Sequence, residues 1–475
     1  RPGRYLGLRQ RRLFFIFHHS RQSLQGFMLN FRFLCFLLFL PSVFCLLPIG
    51  ALSAPNILLI VSEDNGQELS CYREPFVQTP VLDKLAAQGV LFKNAYVAQS
   101  GCSQSRASFL TGLYPHQNGQ IGLATWKFGM YDENTPNIVR SLKDVDYRTG
   151  IIGKLHVNPA SAFPFDFHEI TSANFTRKDQ DRYAREAERF INAGDEPFFL
   201  SVNYPDAHRP FTTQVDGLPE NPLTGKDVKP LAYFGIDNAE LRQQTADYYN
   251  CMSRLDTLIG DLLNALEETG RAENTIIAYI GDHGADMLRG KRTSYEGGTR
   301  VPFIMKWPSQ WKSGLVSQKL VSLIDLAPTL LKEAGADPIN NLPGRALQPL
   351  LKGESTQWRN HLFTEFHIHS AHNYYPQRTV QNQRYKLILN LMPGKVNPGY
   401  EFTNNRFFEY LTDTINGAEE PIRSAYLNME RPVKYELYDL QEDPFEFTNL
   451  ASDPKHAKKL ESLQKRLQTW RENTK

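Results

Sequence analysis

The chain has 475 residues, a net charge of +2, 41% hydrophobic and 22% charged residues, which suits one large α/β domain with an appendage, or two to three smaller domains. Its first 54 residues carry seven Arg and neither Lys nor acid, so subtracting those seven from +2 leaves about −5 on residues 55–475. That balance excludes a broad basic footprint for nucleic acid, and positive charge that meets an anionic substrate must be local to a site.

In chain order, "MLNFRFLCFLLFLPSVFCLLPIGALSA" comes first and begins at Met28, the first Met. It reads as a secretory signal, with Arg32 as the positive start, an apolar run from Phe33 to Leu47, and small residues that allow cleavage after Ala54; a retained N-terminal anchor is the alternative. Pro41 and Pro48 interrupt the run, which is short for a membrane span. Residues 1–27 read as sequence upstream of the true start. The expected mature protein has no stable membrane span and is secreted or periplasmic, or in a lysosome-like compartment of a eukaryote. Beyond the signal only Cys71, Cys102 and Cys251 remain. This is no disulfide framework, and the odd number flags a special thiol. Cys251 falls on a helical pattern with Met252, Leu255, Ile259, Leu262 and Leu266 and reads as core. A Cys71–Cys102 bridge is compatible with the sequence but would consume the most interesting thiol.

Four apolar, β-branched runs end in polar clusters: "NILLIV" before Ser62-Glu63-Asp64-Asn65-Gly66, "YRTGIIG" before Lys154-Leu155-His156, "PFFLSVNY" before Pro205-Asp206-Ala207-His208, and "TIIAYI" before Gly281-Asp282-His283-Gly284. Such runs predict strands buried on both faces. Helical patterns lie between them, at roughly 80–89, 102–112, 137–143, 178–192 and 239–268. The alternation predicts an α/β fold with a large, mostly parallel central sheet flanked by helices. After about residue 355, "RYKLILNL" and "YELYDL" predict antiparallel strands, and "DPKHAKKLESLQKRLQTWREN" predicts a basic, amphipathic final helix. The expected organisation is a leader over 1–54, a catalytic domain over 55–355, and a smaller C-terminal α+β subdomain over 356–475.

Ligands in parallel sheets bind beyond the carboxyl ends of the strands, so one edge should gather Glu63, Asp64, Lys154, His156, His208, Asp282 and His283. The stretch "GCSQSRASFLTGLYPHQNGQ" adds Cys102 and Arg106, one turn apart at the start of a predicted helix. Helix starts bind anions through free N–H groups and the dipole, and Arg adds a planar fork for phosphate or sulfate oxygens. Glu63-Asp64 and Asp282-His283 make a mostly oxygen site with one imidazole, which favours Ca²⁺ or Mg²⁺ over structural zinc. Lys154 and His156, two apart on a segment expected to be extended, should point the same way. Lys291, in the Gly-rich "GKRTSYEGGTRVPF", would join Arg106 and His208 around an anion and stabilise charge as it develops.

These residues together resemble the sulfatases of the alkaline-phosphatase superfamily. "CSQSRASFLTG" is similar to the family pattern C-x-P-S-R-x-x-x-x-T-G. "PNILLIVSEDNG", "GIIGKLH", "DAHRPF", "GDHG", "GKRTSYEGGTRVPF" and "ELYDLQEDPFEFTNLA" follow in family order, so that the likeness covers about 55–475. Within the family, "LTGLYPHQNGQIGL", "TGIIGKLHVNP", "FPFDF" and "YYPQRTVQNQRYKLILNL" look most like the heparan N-sulfatase (sulfamidase) branch. The resemblance implies an alkaline-phosphatase-like fold and oxidation of Cys102 to formylglycine by a formylglycine-generating maturation enzyme. It implies one Ca²⁺, rather than Mg²⁺, held by Glu63, Asp64, Cys102, Asp282 and His283. Arg106 would hold the hydrated aldehyde. Lys154 and His156 would contact it, with His156 the base for sulfate release. His208 and Lys291 would grip the sulfate, one of them protonating the leaving group. The implied substrate is a sulfated sugar or glycosaminoglycan, with N-sulfated glucosamine foremost.

Two positions depart from the family pattern. Gln104 stands where the maturation signal has Pro or, less often, Ala, and Glu63 replaces the usual first Asp, so that its longer side chain must fold back to keep the metal distance. His283, often Asn in the sulfamidase branch, occurs in other branches. A tyrosine-phosphatase loop needs five residues between Cys and Arg, which here reaches Ser108 and so fails. The remaining rivals are an O-sulfatase on another sulfated polysaccharide, a zinc phosphodiesterase of the same superfamily, and a non-catalytic glycan-binding relative with unconverted Cys102. For the sugar, His367, His369, His372 and Arg378 are candidate contacts. Asn174-Phe175-Thr176 is a glycosylation sequon.

Overall fold

A computed structural model describes residues 54–400 and 411–474. The expectations for residues 1–53, the secretory signal included, lie outside the described residues. Eight strands form the larger sheet among the described residues: β1 (Asn56–Ser62), β2 (Val90–Tyr96), β3 (Arg148–Gly153), β4 (Phe167–Glu169), β5 (Phe198–Tyr204), β6 (Thr275–Gly281), β7 (Phe303–Lys306) and β8 (Leu315–Ser322). Their order is β4-β3-β5-β1-β6-β7-β2-β8. All neighbours pair in parallel except β7, which runs antiparallel to β6 and β2.

The four runs read from the sequence are the adjacent strands β3, β5, β1 and β6. β1, β5 and β6 are buried along their whole length, which explains their unbroken apolar character. Period two sends Ile57, Leu59 and Val61 into one core layer and Leu58 and Ile60 into the other, as a pleat requires. Ser62 pairs with both Tyr204 and Gly281, and Gly153 pairs with Asn203. The four strands therefore end level, and the polar residues after them emerge at one edge.

Helices fill both faces. Pro80–Gln88, Cys102–Thr111, Ile138–Lys143, Arg182–Ile191 and Ala239–Glu268 match the predicted segments to within a few residues. The Asn238 side chain caps the 30-residue helix Ala239–Glu268 by accepting from Leu241 N at 2.8 Å. Cys251 is buried on that helix, and Cys71, Cys102 and Cys251 all carry free thiols, so the Cys71–Cys102 bridge is not formed. Among the described residues no helix is long and apolar enough to cross a membrane.

The C-terminal region holds β9 (Leu362–Phe366), β10 (Gln377–Gln381), β11 (Tyr385–Asn390) and β12 (Tyr435–Asp439), antiparallel in the order β12-β11-β10-β9. The final helix, Ala457–Asn473, buries Leu463, Leu467 and Trp470 against Val380, Leu387 and Leu437 of this sheet. The same core takes in Ala98, Tyr114 and Ile324 from the larger sheet's side, so the small sheet packs directly on the elements that carry Cys102.

Candidate active site

The helix Cys102–Thr111 is buried at every residue. It starts from an extended Gly101 without a side-chain cap and stops at Gly112, whose φ of 75° is left-handed. Its first-turn N–H groups and the positive dipole end lie at Cys102. Gln104, where the family pattern has Pro, donates from Nε2 to Ile368 O at 2.6 Å and Ile121 O at 3.3 Å. Gln99 Nε2 reaches the same two carbonyls. The departure from the pattern thus ties the helix start to the segment that leads into His369.

Around the thiol three carboxylates meet three cations. Arg106 donates from Nη2 to Glu63 Oε1 and from Nε to Asp282 Oδ2 at 3.2 Å. Its Nη1 holds Lys154 O and Asn203 Oδ1, each at 2.7 Å. Lys154 Nζ bonds Glu63 Oε2 at 2.6 Å, and Lys291 Nζ bonds both Asp64 oxygens at 2.9 Å. Asp64 N donates to Asp282 Oδ1 at 2.9 Å, which links the ends of β1 and β6. His283 Nε2 lies 3.3 Å from Cys102 Sγ and 3.2 Å from Asp64 Oδ1. Gly284 has to be glycine here, because a Cβ would sit 1.8 Å from Gly297 O, where the loop after β6 crosses the segment beyond Lys291.

The charges set the protonation states. Burial pushes the Cys102 thiol up, but Lys154, Lys291 and His283 more than offset it and bring it down to about 6, so the thiol ionises near neutral pH. Burial also pushes the Glu63 carboxyl up, yet Arg106 and Lys154 hold it below the usual carboxylate range. Asp282 is raised to about 6 by burial and by the neighbouring Glu63. His283 is raised to about 9, because Asp282 and Asp64 outweigh its burial. His156 goes the other way. Burial, then the charge of Lys154, lowers it to about 3, so the ring is neutral and basic across the physiological range.

The donor set can be tested against a metal. Single ligand atoms of Glu63, Asp64, Cys102 and His208 lie within 4.8 Å of one another, and so do those of Cys102, Asp282 and His283. Atoms placed 2.3–2.6 Å from one Ca²⁺ span at most about 5 Å, so both groups fit around a cation, and Cys102 belongs to each. His208 joins the first group, which sequence reasoning had not assigned to metal.

The expectation of an extended segment through Lys154 and His156 fails. β3 ends at Gly153, and His156 has a left-handed φ of 58°. Both side chains nevertheless line one cavity of about 450 Å³ with Cys102, His208 and Lys291, and His156 Nδ1 is buried there without a partner. A second cavity of about 650 Å³ opens beside the first and shares Leu123, His208, Lys291 and His369 with it. The four candidate sugar contacts divide. His369 lines both cavities, and its buried Nε2 has no partner. His372 lines the wider one, edge-on to Trp126 at 5.2 Å. His367 and Arg378 line neither. His367 Nε2 lies 3.2 Å and Arg378 Nε 3.7 Å from Glu365, a fully buried carboxylate that also accepts from His116, so that buried charge claims both. Sequence reasoning missed Asn203, Phe175 and Trp126, and also Asp286, which lines the wider cavity and pairs with Arg292. Asn203 sits one residue before the Tyr204 that closes β5, and such a polar residue at the end of a buried strand is the signal that points to it. Phe175, an aromatic inside a polar loop, is another.

With this geometry in place, comparison with known proteins is direct. Residues 55–336 match the sulfatase family model, and residues 281–398 match the model described as N-sulphoglucosamine sulphohydrolase, C-terminal. Human N-sulphoglucosamine sulphohydrolase is 32% identical over 459 residues, covering 88% of this chain and 90% of its own. An ulvan-active sulfatase of Formosa agariphila is 29% identical over 437 residues, covering 88% and 80%. The crystal structure of a phosphonate monoester hydrolase of Agrobacterium radiobacter superposes with a TM-score of 0.66 at 20% identity, covering 89% and 96%, a likeness of fold alone.

Proposed function

Because the chain belongs to the sulfatase family, we propose that it hydrolyses the sulfamate of N-sulfated glucosamine in heparan-type or related glycans, using Cys102 matured to formylglycine and one Ca²⁺. The observation that carries the sulfatase chemistry is the buried helix start at Cys102, faced by Arg106, Lys154, Lys291 and His283 and open to a cavity. The N-sulfo assignment draws on the C-terminal family match and on the human relative.

Glu63, Asp64, Cys102, Asp282 and His283 would hold the ion, leaving His208 free for the substrate. A bound Ca²⁺ would polarise the sulfate and lower the pKa of the attacking hydroxyl, which hydrated formylglycine at Cys102 would supply. Lys154, Lys291 and His208 line the cavity as donors for sulfate oxygens. Arg106, fixed by Glu63, Asp282 and Asn203, is oriented before substrate arrives. His156, neutral at one imidazole nitrogen, accepts a proton as sulfate is released. His208 or Lys291 supplies the proton to the departing nitrogen. In the net reaction one water is consumed, and amine and sulfate leave. Residues 55–355 serve as the catalytic domain and 356–475 as the subdomain that completes the sugar cavity. The partners are the glycan and a formylglycine-generating enzyme, in a secreted, periplasmic or lysosome-like setting.

A second reading, an O-sulfatase on another sulfated polysaccharide, draws on the ulvan-active relative. The bond-breaking centre serves either bond, so sugar placement decides. Purified protein should hydrolyse N-sulfoglucosamine at least about tenfold faster in kcat/KM than 6-O-sulfated N-acetylglucosamine, about 1.4 kcal/mol of discrimination. The reverse preference would establish the O-sulfatase reading.

A further inference from the structure

Residues 171–178 run from β4 toward the helix Arg182–Ile191, and Thr171, Ala173 and Phe175 wall the cavity that holds Cys102. The Phe175 ring stacks flat on the His208 imidazole, with centroids 3.7 Å apart and planes 9° apart. Lys154 Nζ sits 5.1 Å from the same phenyl centroid.

One guanidinium sets this stack. Arg177, buried to 1% exposure, donates from Nη1 to Phe175 O at 2.7 Å and from Nη2 to His208 O. Its Nε bonds Asp206 Oδ1 at 2.5 Å. Asp206 is buried too, and Arg254 holds it at 2.8 and 2.9 Å. Asp206 O in turn accepts from Glu63 N at 3.0 Å, and Ala207 N donates to Glu63 O at 2.6 Å. The carbonyls of both stacking residues thus hang from a single planar fork, itself anchored to the backbone that carries Glu63. An Arg fork holds two acceptors in fixed relative geometry, which a Lys cannot do.

His208 Nδ1 lies 2.7 Å from Arg209 O. A carbonyl only accepts, so Nδ1 carries a hydrogen and Nε2 is the atom presented to the cavity, 4.0 Å from Asp64 Oδ2. Phe175 on one face and the carbonyl at Nδ1 both restrain the ring.

We infer that Phe175, clamped by Arg177, is the positioning residue that aims His208 Nε2 at the leaving-group atom. The inference rests on the reading of His208 as the proton donor. In the step it serves, His208 acts as the imidazolium, with Nδ1–H on Arg209 O and Nε2–H facing the cavity: the bond from sulfur to the leaving nitrogen or oxygen breaks, its electron pair stays on that atom, and the Nε2 proton moves to it, leaving the neutral ring with its hydrogen on Nδ1. A donor displaced by about 1 Å can cost on the order of a hundredfold in rate.

Phe175→Leu keeps the apolar volume and removes the flat face, and Arg177→Lys removes the fork. Each is assayed with N-sulfoglucosamine or N-acetylglucosamine 6-sulfate, whichever the wild-type protein hydrolyses faster, and melting temperatures verify folding. Both variants should lose at least about tenfold in kcat with KM within about twofold, and the solvent deuterium isotope effect on kcat should rise above the wild-type value as proton delivery becomes limiting. Phe175→Tyr should restore kcat to within about threefold. An unchanged kcat, a rise in KM alone, or a fall in kcat without a larger isotope effect would overturn the inference. His208→Ala separates the two layers: if it keeps its kcat, the reading of His208 as donor fails. If it loses kcat while folded Phe175→Leu does not, only the clamp fails.

Discussion

Lys154 and Lys291 each lower the Cys102 thiol while bonded to a different carboxylate, Glu63 and Asp64. Such cations, desolvated and fixed before substrate arrives, are also the donors that a sulfate needs. His156 stands apart as a neutral imidazole in the cavity. Because its pKa is lowered to about 3, the basic form dominates at every pH above that value, and a bound cation would only extend the range. The kcat profile should therefore show no loss from His156 between pH 8 and pH 5, and His156→Ala should lower kcat by at least about a hundredfold. An acid limb that lies at the ordinary imidazole value and vanishes in His156→Ala would contradict the assignment.

At the scale of elements, level strand ends do the assembling. β3, β5, β1 and β6 were legible because each is an unbroken apolar run that stops in polar residues. β2 and β8 were not, because "VLFKNAY" carries Lys93 and Asn94 inside a mostly buried strand and "LVSQKLVS" mixes polar residues into a half-buried one, so that both resemble loops or helix edges as much as strands. β7, four residues long, falls below any periodicity. The left-handed turn at His156 was also hidden, since a non-glycine residue gives no local sign of positive φ. The division of His367 and Arg378 from His369 and His372 depended on Glu365, whose burial is a tertiary fact. The small sheet adds a further element-scale link. Lys386 of β11, wholly buried, bonds Glu296 at 3.1 Å and Glu446 at 2.9 Å, bracing the segment just beyond Lys291. Lys386→Met would leave two buried carboxylates facing each other and should cost about 3 kcal/mol of stability, measurable by denaturant unfolding, with Lys291-dependent turnover falling as well. A variant as stable as the wild type would remove this brace from the account.

For the whole molecule, net charge said only that an anionic substrate must be met locally, and the structure concentrates that charge at the sheet edge. Three buried carboxylates and their cations there also make ion binding a stability question. Chelation should abolish turnover and lower the melting temperature, and Ca²⁺ should restore both better than Zn²⁺, because oxygen donors dominate the set. At a free Ca²⁺ concentration about a hundred times Kd the ion should stabilise the fold by about 2.7 kcal/mol. Equal recovery with Zn²⁺, or active protein holding stoichiometric zinc, would favour the rival reading as a zinc phosphodiesterase.

Mass analysis of the peptide spanning residue 102 in active protein decides whether Cys102 is a precursor or is itself the working group. The active fraction should carry an aldehyde there, resistant to thiol alkylation, in spite of Gln104 at the family's Pro position and a thiol that would otherwise ionise near pH 6. Full turnover by protein whose Cys102 remains an alkylatable thiol would contradict the precursor role.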